Sequence, residues 1–262
     1  MDRALRSRVR DPLLWHFPIS HYNEKVRWAL DWKRIPHRRV VLSASYLPRA
    51  WWATGRGTLP VLHLEGRAIG DSTRIIAALE DHTPQPPLYP ADRAERERAL
   101  AIEDWFDESV GHPVRTLVVP ALMEIAGAER VSETLMSGMA PTAQRAFRAA
   151  HPLFRRYYYW RHRIGDATRA AAPEAVRSGF DRIEAELGSG EYLVGAGFSV
   201  ADLSAAAMLA PLVRPPGSLW ARLGELPEPV ERFVASLEQR PAFAWVHEMY
   251  RRHRGASAEL RG

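Results

Sequence analysis

The first third of the chain breaks into short apolar runs separated by turn-forming residues. Leu13-Leu14-Trp15-His16-Phe17 is closed by Pro18, a pattern that predicts a buried strand. From Glu24 the apolar positions Val26, Trp28 to Leu30 and Trp32 alternate with Lys25, Arg27, Asp31, Lys33 and Arg34, which predicts a helix ended by Pro36. Val40-Val41-Leu42 predicts a second strand and Leu59 to Leu64 a third. Glu65-Gly66-Arg67 then reads as a hairpin turn into Ala68-Ile69-Gly70. Asp71-Ser72 stands at the start of a further helix that buries Ile75, Ile76 and Leu79. Between the second and third strands, Tyr46 to Thr54 is apolar and Trp-rich without a clear period.

The order β-α-β-α-β-β-α over residues 11–82 is that of a compact thioredoxin-like α/β unit. Strand patterns then stop. Residues 83–91 carry Pro84, Pro86, Pro87 and Pro90 and read as a stiff linker. Residues 92–254 read as an all-helical C-terminal domain, with helices expected over Asp92 to about Leu122, about Ser132 to Arg163, Pro173 to Leu187, Val200 to Val213, Pro229 to Glu238 and Pro241 to Arg254. Residues 1–10 and the tail from Gly255 are expected to be loose ends.

Composition narrows the chemistry. The 262 residues contain no cysteine, which removes disulfides, thiolate metal sites and a cysteine nucleophile together. Lys+Arg 36 against Asp+Glu 31 gives a net charge of +5, and Lys25 and Lys33 are the only lysines. Acids are interspersed with the arginines, so the charge forms no stripe of the kind that a nucleic-acid binder presents. The 10 histidines show no metal-ligand spacing, so no metal is expected. No stretch approaches the length of a membrane span, and the reading is a cytoplasmic protein without membrane attachment.

Four motifs in order carry a resemblance that covers nearly the whole chain. Ser20-His21-Tyr22-Asn23-Glu24-Lys25-Val26-Arg27-Trp28-Ala29-Leu30, Gly57-Thr58-Leu59-Pro60-Val61-Leu62, Asp71-Ser72 and Phe198-Ser199-Val200-Ala201-Asp202-Leu203 together resemble a cytosolic glutathione S-transferase. Ser199 and Asp202 are also a plain capping box, with Phe198 against Leu203 as a hydrophobic staple, and carry no chemistry. The resemblance implies that Pro60 is cis and that the backbone of Leu59 meets the cysteinyl part of glutathione. It implies that Asp71 and Ser72 hold the γ-glutamyl ammonium and carboxylate at a helix N-terminus, where an ordinary N-cap is the alternative.

Ser20 stands where several classes of that family point a Ser or Cys at the glutathione sulfur, and Tyr22 or Asn23 is the alternative donor. A hydroxyl donating to sulfur favours thiolate over thiol. The acceptor pocket implied by the resemblance is lined by His16 and Phe17 after the first strand and by Trp105 and Phe106 of the helical domain. The arginine-aromatic stretch Phe154 to Arg163 reads as core or domain interface, since its aromatics recur at helical spacing. The resulting expectation is an enzyme of the serine type that turns the glutathione thiol on a small hydrophobic electrophile. It is a two-fold homodimer and has no nucleic-acid partner. A scaffolding protein of the same fold is the alternative, and a different low-molecular-weight thiol is a second one.

Overall fold

The computed structural model describes residues 11–42, 46–126, 141–222 and 225–260. Its sheet has four strands, β1 (Leu13–His16), β2 (Arg38–Val41), β3 (Val61–Leu64) and β4 (Arg67–Gly70), in the order β2-β1-β3-β4. β1 runs parallel to β2, with Leu13 opposite Arg38, and antiparallel to β3, with Leu14 opposite Leu62. Glu65 and Gly66, with φ of 51° and 78°, make the tight β3–β4 hairpin, whose turn type needs positive φ at both positions.

Helix α1 (His21–Trp32) follows β1, α2 (Tyr46–Thr54) follows β2 and α3 (Ser72–His82) follows β4. α2 buries Ala50 and leaves Trp51 and Trp52 exposed, which is why its sequence shows no amphipathic period. α1 is enclosed on almost every side, between α3 and the helical half of the chain.

A single long helical run opens that half: α4 (Arg93–Phe106), a wide π-type turn over Asp107–Gly111, α5 (His112–Ala121) and a second wide turn over Leu122–Ala126. A Cβ at Gly111 would stand 2.5 Å from Tyr22 Oη and 2.8 Å from Met208 Sδ, so this glycine lets the two halves of the chain meet at the first turn. α6 (Pro141–His162), α7 (Asp166–Leu187), α8 (Val200–Val213), α9 (Leu219–Arg222), α10 (Glu228–Ala235) and α11 (Pro241–His253) complete the fold. α8 is buried along its whole length. The architecture is a thioredoxin-like layer followed by an all-helical one.

Three expectations need correction or bounding. α7 begins at Asp166 and carries Pro173 inside it. Gly165 N–H donates to Thr168 Oγ1 at 2.9 Å, which starts the helix two turns earlier than the proline suggests. The tail after Gly255 is docked, not loose: Ala258 N–H donates to Asp31 Oδ1 at 2.8 Å and Leu260 N–H to His37 O at 2.8 Å. The start of the helix expected from Ser132, like residues 1–10, lies outside the described residues. Ser199 and Asp202 form the capping box, and Asp202 Oδ1 also accepts from Leu193 N–H at 2.8 Å. The Phe198 ring packs on Trp28, Trp32 and His253. Among the described residues, no helix is long and apolar enough to cross a membrane.

Candidate functional site

Ser20 is the N-cap of α1. Its Oγ accepts from Asn23 N–H at a long 3.4 Å, which leaves the hydroxyl proton free to be donated elsewhere. The loop that presents it is held from below. Arg27 donates to Pro18 O at 2.8 Å and to Phe17 O at 3.4 Å, and Phe17 N–H donates to Asn23 Oδ1 at 3.1 Å. Arg27 is itself fixed by Glu24 at 2.8 Å, and Glu24 by Arg254 at 2.7 Å, so the end of α11 supports the loop through two buried ion pairs. The arginines beside Glu24 hold its carboxyl at about 2 despite burial, which opposes them.

His16, expected in the acceptor pocket with Phe17, is not among the residues that line the cavity between the halves. It is buried, with Nδ1 3.0 Å from Arg27 Nη1, and burial together with the Arg27 charge lowers its pKa to about 3. A histidine kept neutral in the fold favours folding above its unfolded pKa of about 6.5 and loses that contribution as pH falls towards the folded value. His16→Asn keeps an acceptor for Arg27 and removes the titration. Between pH 7 and pH 5.5, wild type should lose about 1 kcal/mol more stability than this variant, as read by guanidinium denaturation. Parallel losses in the two proteins would show that His16 titrates normally.

Tyr22 and Asn23 are both occupied. Tyr22 Oη donates to the Asp107 carbonyl at 2.6 Å in the wide turn, and Asn23 uses its carbonyl to hold Phe17. Burial, first of all, raises the Tyr22 phenol well above its ordinary range. Ser20 is the hydroxyl of this loop with a proton to give.

Asp71 caps α3, accepting from Thr73 N–H at 3.2 Å and Arg74 N–H at 3.4 Å, while Arg56 Nη1 lies 3.2 Å from its other oxygen. Its φ of 79° is one that non-glycine residues seldom take, and such conformations collect at ligand clamps. Ser72 is buried at the first position of the helix. The Leu59–Pro60 peptide is cis, and Pro60 is buried ahead of β3.

Behind this surface, Lys25 is sealed between the two halves. Its Nζ lies 2.6 Å from Glu103 Oε1, 2.7 Å from Asp107 Oδ2 and 3.4 Å from Thr73 Oγ1. Burial alone would lower its pKa, but the two carboxylates raise it above the usual lysine value. The cluster ties α1 and the second residue of α3 to the end of α4. Lys33, the other lysine, is likewise enclosed and bonded to Glu80, Thr83 O and Pro86 O.

A cavity of about 250 Å³ opens between the halves and brings Phe17, Ser20 and Leu59 together. Its far wall is Val114, Arg115 and Val118 of α5 with Phe147, Phe154, Tyr157, Tyr158 and Arg161 of α6. Asp71 and Ser72 stand outside this lining. Trp105 and Phe106 are not part of it either: Phe106 is fully buried, and Trp105 packs edge-on against it beneath Arg182. The stretch Phe154 to Arg163, expected as core or domain interface, packs Phe154, Tyr158 and Tyr159 against the core, reaches Gly57 O of the other half through Arg161, and lines the cavity with Phe154, Tyr157, Tyr158 and Arg161.

Family models for the glutathione S-transferase N-terminal domain and C-terminal domain match residues 14–87 and 166–250. The chain belongs to the glutathione S-transferase family. A curated relative, FtsZ-localized protein A of Caulobacter vibrioides, is 25% identical over 239 residues, covering 88% of each chain. A glutathione S-transferase from Methylobacterium radiotolerans, solved with glutathione sulfonate, is 25% identical at a TM-score of 0.55, covering 89% of this chain and 92% of its own. The fold is shared as well with the β-etherase LigF of Sphingobium, at 22% identity and a TM-score of 0.57, over 91% of this chain and 99% of that one.

Proposed function

We propose that this family member binds glutathione on its thioredoxin-like layer and directs the thiol at a hydrophobic electrophile in the cavity between the halves. The observation that carries the reading is the placement of Ser20, a hydroxyl with a free proton on the cavity wall beside Leu59. Bound glutathione supplies the nucleophile: its sulfur bonds to the electrophilic carbon, and the leaving group departs with its electron pair. Ser20 donates to the sulfur, and the N-terminus of α1 adds positive potential, so the thiol loses its proton more readily. The cavity wall excludes water and orients the electrophile. With no cysteine in the chain, reactions that need a protein mixed disulfide are disfavoured.

On this reading Asp71 accepts from the γ-glutamyl ammonium, while the first turn of α3 receives the carboxylate. Asp71→Asn should weaken glutathione binding by roughly 1.5 to 3 kcal/mol, the worth of a hydrogen bond to a charged group. Folding should survive, because Asn caps helices and tolerates positive φ. Calorimetry of both proteins reads the difference, and equal affinities would remove Asp71 from the site.

A second reading, a scaffold of the same fold without turnover, is favoured by the likeness to FtsZ-localized protein A. It requires no thiol ligand, so it forecasts no glutathione binding by the wild type. The exposed pair Trp51 and Trp52 suits a two-fold dimer on either reading. Sedimentation at micromolar concentration should show twice 29.6 kDa, and the single species alone would count against that dimer.

A further inference from the structure

Several arginines of the described interior are ion-paired, and Arg115 is not. Arg27 meets Glu24, Arg39 meets Asp31, Arg254 meets both of those acids, and Arg240 meets Asp181 and Glu184. Arg115, half-buried on α5, has an Nε closed off from solvent without a hydrogen-bond partner, and no described carboxylate lies within ion-pair distance of it. Its guanidinium stands over the Tyr22 ring at 6.0 Å and contributes to the cavity wall. A buried N–H without an acceptor is costly, and a bound anion at the cavity wall supplies that acceptor.

The cavity fits that demand. Among its described lining residues there is no Asp or Glu, and the charged side chains are Arg115 and Arg161. Arg161 reaches the Gly57 carbonyl at 3.5 Å, at the edge nearest Leu59. Glu108 shares the neighbouring open groove with Arg115 and makes no ion pair with it. The Arg115 charge reaches the histidines beside it: burial and then Arg115 lower both His21 and His162 to about 3. The remaining wall is aromatic, and about 250 Å³ suits one or two rings rather than a peptide chain.

We infer that the electrophile taken by this cavity is an aromatic carboxylate, whose anion is received by Arg115 while its ring lies against Phe147, Phe154 and Tyr158. The inference rests on the transferase reading for the word electrophile, but its recognition element is independent of any thiol. The test is calorimetric titration of the full chain with naphthalenecarboxylate and with its neutral amide, each with and without saturating S-methylglutathione.

Wild type should bind the carboxylate at least about tenfold more tightly than the amide, the scale of one hydrogen bond to a charged group. The preference should persist with the thioether bound. Arg115→Met should lose it while keeping the amide affinity, which also reports that the variant is folded, and Arg115→Lys should keep part of it. Equal affinities in wild type, or a preference that survives in Arg115→Met, would overturn the inference. So would a preference that vanishes when S-methylglutathione is bound, because the arginines would then serve glutathione's own carboxylates. If S-methylglutathione fails to bind while the preference holds, the transferase reading falls and the anion-selective cavity stands.

Discussion

Ser20→Ala should reduce turnover of a chlorodinitrobenzene with glutathione by roughly ten- to a thousandfold, the range for losing one preorganised donor to a developing anion. The effect should fall on the sulfur, not on the fold. Ser20 Oγ makes one long bond to Asn23 N–H, and the loop is held independently by Arg27 and by the Phe17–Asn23 bond, so alanine leaves the scaffold standing. The loss of the cap costs about 1 kcal/mol of stability. A titration of bound glutathione by thiolate absorbance should show a higher thiol pKa in the variant than in wild type. An unchanged pKa would move the donor role elsewhere, although the Tyr22 hydroxyl already donates its hydrogen bond to the Asp107 carbonyl.

Lys25→Met should cost about 3 to 5 kcal/mol of folding stability, because it leaves two buried carboxyls without their cation. Glu103 and Asp107 are both buried, and burial already raises each above the ordinary carboxylate range against the pull of Lys25. Without the lysine they must either repel or take up protons. Protonation becomes easier as pH falls, so the penalty should be smaller at pH 5 than at pH 8. For carboxyls with raised folded pKa, the favourable contribution belongs to the acid side and is lost as pH rises. Urea denaturation at the two pH values reads both effects. A loss under about 1 kcal/mol at pH 8 would mean that the cluster is hydrated and not sealed, as for an ordinary surface pair.

The local features were readable in the sequence because their partners lie close along the chain. Ser199 and Asp202 are three positions apart, and Ser20 caps the amide of Asn23 at the same separation. Strand and hairpin signals around Glu65-Gly66 are equally short-ranged. Where the sequence misleads over the tail and the cavity lining, the deciding contacts are distant. Lys25 meets Asp107 across 82 positions, so its motif gives no hint of a domain clamp. The tail reads as loose because Asp31, which holds Ala258, lies 227 positions earlier. Trp105 and Phe106 offered the right chemistry for an acceptor pocket, but α4 turns them into the helical core. Arg115 and the aromatics of α6 line the cavity instead, opposite Phe17 and Ser20, residues more than 90 positions earlier in the chain. Proline misled at α7 because Pro173, well suited to a first turn, lies inside the helix.

The most direct test of glutathione binding beside Ser20 is a crystal structure of the chain grown with glutathione. The tripeptide should lie along the edge formed by Leu59 and the start of α3, with its sulfur within about 3.5 Å of Ser20 Oγ and its γ-glutamyl carboxylate at the first turn of α3. A sulfur placed against another side chain, or density for the tripeptide away from that edge, would contradict it.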